Sequence, residues 1–159
     1  MTTITLPIPD GSRACPEPLR NEAGSAAPLI LLVDDDSRTL RFVLTVLRYA
    51  TAAVVLEASD PGSAIEAARA AGRPIDLLLS DVDLAAGKTG IDLARELAQS
   101  NPLMKVAFMS GRDLPQCDLA PGWRFLAKPF AIAALLDCMD ALGLPVSARW
   151  REEARPRGR

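Results

Sequence analysis

Asp34, Asp35 and Asp36 stand together at the end of an apolar run, LILLVD (29–34). Asp81 ends a second such run, IDLLLSD (75–81), with Asp83 two residues on. Ser110, followed by Gly111, ends a third, and Lys128, followed by Pro129, ends a fourth. Carboxylates, a hydroxyl and an ammonium thus come from separate segments. Two carboxylates about 4 Å apart repel by about 4 kcal/mol at an effective dielectric near 20. Bringing Asp34, Asp35 and Asp81 together is therefore unfavourable unless a cation binds or a proton is taken up. Hard oxygen ligands at an open rim suit Mg²⁺, which keeps waters and takes few carboxylates. Lys128 adds a fixed positive charge, and Ser110 with neighbouring backbone N–H groups can hydrogen-bond an anion. A divalent ion, an ammonium and a hydroxyl around one aspartate make a site for a phosphoryl group. That aspartate would be the nucleophile, accepting the group as an acyl phosphate.

These residues converge only if the apolar runs are neighbouring strands. LILLVD, AAVVLEA (52–58), IDLLLSD, LMKVAFMS (103–110) and WRFLAK (123–128) read as buried strands. Between the first two, Leu40, Val43, Leu44 and Leu47 recur at helical spacing and predict a helix over 37–49, capped by Asp36 or Ser37. Asp60-Pro61 opens a second helix, which Gly72 and Pro74 end. A third covers about 90–100, with Ile91, Leu93, Ala94 and Leu97 apolar. A last helix after Pro129 carries Ile132, Leu135, Leu136 and Met139 on one face, and Gly143 and Pro145 stop it. Strands alternating with helices predict parallel pairing through right-handed crossovers in an open, doubly wound sheet. Ligands of such sheets bind beyond the carboxyl ends of the strands, where strand order reverses. Those are the ends that carry the acids, Ser110 and Lys128. Residues 111–122 (GRDLPQCDLAPG) break the pattern: two prolines and two glycines leave any helix there short or missing.

Composition bounds the rest. A length of 159 residues predicts one domain with tails, and a 49% hydrophobic content excludes a wholly disordered chain. No apolar run approaches the roughly 20 residues that span a bilayer. The N-terminus lacks the pattern of a secretory signal, so a cytoplasmic location is expected. Histidine is absent, which excludes an imidazole base, a Ser–His–Asp triad and a His metal ligand. Cys15, Cys117 and Cys138 are odd in number and widely spaced, and fit reduced thiols better than disulfides or a zinc cluster. Residues 1–27 read as a leader, 28–144 as the domain, and 145–159, with five Arg and two Glu, as a solvated basic tail. The domain itself is acidic, so no general affinity for nucleic acid is expected of it.

LILLVDDD, IDLLLSDVDL, VAFMSG and FLAKPF, in that order across about 29–143, resemble the receiver (response-regulator) domain of two-component signalling. The resemblance implies a flavodoxin-like (βα)5 α/β fold, a doubly wound parallel five-stranded sheet in order 2-1-3-4-5. Here the fourth helix would be shortened or missing. It implies Asp81 as phosphoacceptor and Asp34 and Asp35, with Asp81, as the acidic group that holds Mg²⁺. The backbone carbonyl of Asp83 would be a further metal contact. Ser110 matches the switch hydroxyl, Lys128 the lysine paired with the phosphoryl group, and Phe125 the aromatic that changes rotamer with state. Asp83 and Arg112 fall where side chains in the family tune dephosphorylation. The donor would be a phosphohistidine on a histidine kinase or histidine phosphotransfer protein, a role this histidine-free chain cannot itself fill.

From Ser110 to Lys128 the chain runs 18 residues, fewer than is usual in the family. The shortfall lies on a surface many receivers use for output. A DNA-binding output module does not fit after residue 144, so the resemblance implies a stand-alone receiver. It would act through protein–protein contact, as a relay intermediate or as a phosphate sink, with no direct DNA or membrane partner, and as a phosphoacceptor rather than an enzyme. Two alternatives remain. Asp81-Val82-Asp83 imitates the D-x-D motif of haloacid-dehalogenase-like phosphatases, although the acid pair here comes first in the chain and nothing supplies a substrate cap. A pseudo-receiver that only binds is the other, although every core chemical residue is present.

Overall fold

Five short strands pair in parallel in the order β2-β1-β3-β4-β5. They are Leu29–Val33 (β1), Val54–Ala58 (β2), Leu77–Asp81 (β3), Lys105–Ser110 (β4) and Arg124–Ala127 (β5). Four helices join them: Ser37–Ala50 (α1), Pro61–Ala70 (α2), Gly90–Ser100 (α3) and Ile132–Ala141 (α4). The structure is a computed structural model and describes residues 26–84, 87–112 and 119–147.

Alternation along each strand divides the core into two layers. Ile30 and Leu32 of β1, Leu77 and Leu79 of β3, and Ala107 and Met109 of β4 pack with Val43 and Leu47 of α1 and Leu135 and Met139 of α4. Leu31, Leu78, Val106 and Phe108 point the other way, toward Ala64 of α2 and Leu93 and Leu97 of α3. Both faces of the central strands are covered, which is why they read as unbroken apolar runs rather than as alternating ones. Each large aliphatic side chain so buried stabilises the fold by roughly 1.5–3 kcal/mol.

The helix starts follow from their caps. Asp36 accepts the Arg38 N–H, Asp60 the Ser63 N–H, and Thr89 and Asp92 form a reciprocal capping box on α3. Gly143, at φ 73°, takes the left-handed conformation that ends α4.

The fold is the flavodoxin-like one that the sequence pattern implies, with boundaries trimmed by one or two residues. The largest change is at Leu103, expected in the fourth strand. It is 89% exposed in a turn closed by the Met104 N–H on the Asn101 carbonyl. That turn takes up the Met104 N–H, so pairing starts only at Lys105. Among the described residues no helix lies between β4 and β5. Residues 113–118 of that connection lie outside the described residues, as do most of the leader and the end of the tail. Ala27, assigned to the leader, is buried, and its carbonyl accepts from Arg73. Among the described residues no helix is long and apolar enough to cross a membrane.

Candidate functional site

Strand order reverses between β1 and β3, and the chain leaves those two strands at Asp34 and Asp81. Pairing of Val33 with Ser80, of Asp81 with Met109 and of Ser110 with Ala127 brings the four strand ends level. The site is therefore a product of register, with its members up to 94 residues apart in the chain.

Lys128 Nζ lies 2.7 Å from Asp34 Oδ2 and 2.9 Å from Asp81 Oδ2 and donates to both. Asp34 is fully buried, Ser110 is 1% exposed and Asp81 9%. The other oxygens of the two carboxylates are also engaged. Asp34 Oδ1 accepts the Asp36 N–H at 2.9 Å, and Asp81 Oδ1 accepts the Asp83 N–H at 3.2 Å. Ser110 Oγ accepts the Arg112 N–H at 3.0 Å, and the Ser110 carbonyl accepts the Lys128 N–H at 2.7 Å. The last bond ties the serine-bearing strand to the lysine-bearing one at the rim.

Electrostatics follow from burial and these partners. Burial pushes the Asp34 carboxyl above the ordinary aspartate value, against the pull of the Lys128 ammonium and the Asp36 N–H. For Lys128, burial works to lower the pKa, but its bonds to Asp34 and Asp81 and their charges outweigh it and hold the ammonium above the ordinary lysine value. One ammonium thus faces a cluster with more negative charge than it can neutralise.

Oxygen atoms of Asp34, Asp35 and Asp81 all lie within 4.8 Å of one another. Three hard donors, one of them a buried carboxyl that resists ionisation, fit a small divalent cation such as Mg²⁺. Asp35 is exposed and so leaves that side of the cluster open to water.

The remaining expected residues lie around this centre. Asp83 sits at the rim, and its carboxylate pairs with the Arg112 guanidinium through both oxygens. The pair is exposed and is worth about 0–1 kcal/mol. Phe125 is half-buried on β5 and packs with the α2–α3 layer. Beside Lys128, the rings of Phe42 and Phe130 meet at a 45° tilt with centroids 6.1 Å apart. They line an open cleft with Arg38, Thr39 and Pro129, and Phe42 remains 40% exposed.

Two residues that sequence reasoning did not single out touch the site from behind. Ser80 is fully buried and donates to the Asp81 carbonyl at 2.8 Å. Gly90 opens α3 with its N–H on the Val82 carbonyl at 2.8 Å. The available signals were a lone hydroxyl inside LLLSD and a glycine in the first turn of a helix.

Comparison with known proteins matches this geometry to a class. Residues 30–140 match the family model described as the response regulator receiver domain. The chain belongs to that family, the receiver domains of two-component signalling. A response regulator receiver protein from Sinorhizobium medicae superposes with a TM-score of 0.66 at 28% identity, over 73% of this chain and 94% of that one. A receiver domain protein from Clostridium thermocellum gives 0.61 at 24% identity, over 73% and 94%. The chemotaxis response regulator CheY4 of Vibrio cholerae gives 0.63 at 21% identity, over 74% and 99%. The last two likenesses bear on the fold alone. No curated protein matches the chain. Phosphorylation and Mg²⁺ binding at an acidic pocket are general to receiver domains, which in general receive phosphate from histidine kinases.

Proposed function

We propose that this chain is an active receiver that takes a phosphoryl group onto Asp81 from a phosphohistidine and passes the change on through protein contacts. The observation that carries this reading is the Lys128 ammonium bonded at once to Asp34 and Asp81, within a cluster of three carboxylates. The half-buried ammonium offsets the charge of both carboxylates. It suits a site where further negative charge must arrive.

In the proposed reaction a carboxylate oxygen of Asp81 forms the new P–O bond while the P–N bond to the donor imidazole breaks, the nitrogen keeping the bonding pair. Lys128 holds the Asp81 carboxylate in place beforehand and offsets charge on the incoming oxygens. Ser110 Oγ, which accepts the Arg112 N–H, keeps its own proton to donate to a phosphoryl oxygen. Asp34, Asp35, Asp81 and the Asp83 carbonyl would hold Mg²⁺. The ion would neutralise charge as the phosphoryl group transfers. In this reading half-buried Phe125, on the same layer of the sheet as Phe108, would change rotamer as Ser110 moves.

The partner would be a histidine kinase or a histidine phosphotransfer protein, seated over the rim beside the Phe42–Phe130 cleft, which offers it apolar contact. The proposed organisation is a leader over 1–27, a receiver over 28–144 and a basic tail over 145–159, in a cytoplasmic protein without direct DNA contact.

The test is the intact mass after incubation with acetyl phosphate, with Mg²⁺ or with a chelator, for the native protein and Asp81→Asn. One phosphoryl addition that needs Mg²⁺ and is lost in the variant is expected. Undiminished addition in Asp81→Asn would refute the assignment of the acceptor, and sustained release of free phosphate would favour a phosphatase.

A further inference from the structure

Asp81 is held from two directions, and only the front is accounted for by Lys128. Behind it, the Ser80 hydroxyl donates to the Asp81 carbonyl at 2.8 Å in a fully buried position. On the same side α3 begins at Gly90, whose N–H donates to the Val82 carbonyl at 2.8 Å. A Cβ at position 90 would overlap the Asp81 carbonyl oxygen. It would also lie 2.7 Å from Ser80 Oγ and 3.0 Å from the Asp81 carbonyl carbon. The φ of Gly90 is not left-handed, so the requirement for glycine here is space rather than backbone freedom.

The next residues are pinned as well. The Val82 N–H donates to the Met109 carbonyl at 3.0 Å, and the Asp83 N–H donates to the Asp81 carboxylate. The backbone that carries the acceptor is thus locked between β4, the Ser80 hydroxyl and the first residue of α3. The capping box of Thr89 and Asp92 fixes the start of that helix.

We propose that Ser80 and Gly90 are positioning residues for phosphoryl transfer: they set the backbone of Asp81 from behind, so that its carboxylate meets Lys128 and Asp34 at bonding distance. The proposal rests on the reading of Asp81 as the acceptor. Its physical basis is that transfer to a fixed nucleophile tolerates little displacement. An error near 1 Å can cost on the order of 100-fold in rate. A methyl group at position 90 cannot be accommodated without moving a backbone carbonyl, because the overlapping atom is not the end of a flexible side chain.

The experiment compares Gly90→Ala, Ser80→Ala and Leu97→Ala with the native protein. Leu97 is a core residue toward the far end of α3 and serves as the control for destabilisation alone. Circular dichroism gives the folded fraction, intact mass the rate of phosphorylation by acetyl phosphate, and titration calorimetry the Mg²⁺ affinity. Per folded molecule, Gly90→Ala is expected to slow phosphorylation on the order of 10- to 100-fold and Ser80→Ala several-fold, with Leu97→Ala unchanged. Native rates in both site variants, or an equal loss in Leu97→Ala, overturn the proposal. If Gly90→Ala does not fold, Ser80→Ala decides in the same way. If the native protein takes up no phosphoryl group, the reading of Asp81 as acceptor fails separately. Mg²⁺ affinity then decides: weaker binding in the site variants than in Leu97→Ala supports the placement, and equal binding refutes it.

Discussion

Lys128, just beyond the last strand, donates across 2.7 Å to Asp34, just beyond the first. The bond crosses the point where strand order reverses and joins a buried carboxyl to an ammonium whose side chain is 21% exposed. Each partner therefore alters the cost of burying the other.

Lys128→Ala leaves Asp34 and Asp81 facing each other without a cation. A loss of about 1–3 kcal/mol in unfolding free energy is expected in chelator, read from urea denaturation, with part of it regained in Mg²⁺. Asp34→Asn should behave oppositely. Burial already disfavours the ionised Asp34, so the neutral amide should leave stability in chelator unchanged or raised while abolishing Mg²⁺ binding.

If the carboxylate cluster holds Mg²⁺ only in the folded state, the ion must stabilise it. At a concentration a hundredfold above its Kd the gain is about 2.7 kcal/mol, seen as a rise in Tm that chelator reverses. Asp35→Asn should reduce that rise without changing the Tm in chelator, because Asp35 is exposed.

Acid should destabilise the protein through its helix caps. Hydrogen bonds from the Arg38, Ser63 and Thr89 groups hold Asp36, Asp60 and Asp92 below the ordinary value of 3.8. A carboxyl depressed in the folded state stabilises above its unfolded pKa, and that contribution disappears as pH falls through the folded one. The urea midpoint should therefore decline below about pH 3.8. Asp60→Asn, which keeps a capping oxygen but does not titrate, should decline less steeply.

Phe108 is fully buried and meets Trp123 edge-on, with centroids 5.4 Å apart. Phe108→Ala should cost about 3–5 kcal/mol and shift the Trp123 emission to the red as water reaches the ring. An unchanged spectrum would contradict the packing described for this layer.

The strands were legible because both faces of the sheet are covered: LILLV and LLL have no polar side to confuse the pattern. Asp34, Asp81, Ser110 and Lys128 were legible because each directly follows or closes such a run. Ser80 and Gly90 were not, since a hydroxyl bonded to the next carbonyl and a helix start pressed against a strand end arise only from tertiary approach. Leu103 differs for a related reason: its hydropathy suits a strand, but the turn closed by the Met104 N–H decides where the ladder begins.

The ammonium that completes the aspartate cluster arrives with Lys128, after all five strands have been made. During synthesis, a nascent chain ending at Ser110 carries both aspartates and the serine but lacks their cation. The cluster therefore gains its counter-charge late on the ribosome, when β5 docks. A fragment clipped before that strand keeps its carboxylates crowded without the ammonium that offsets their charge.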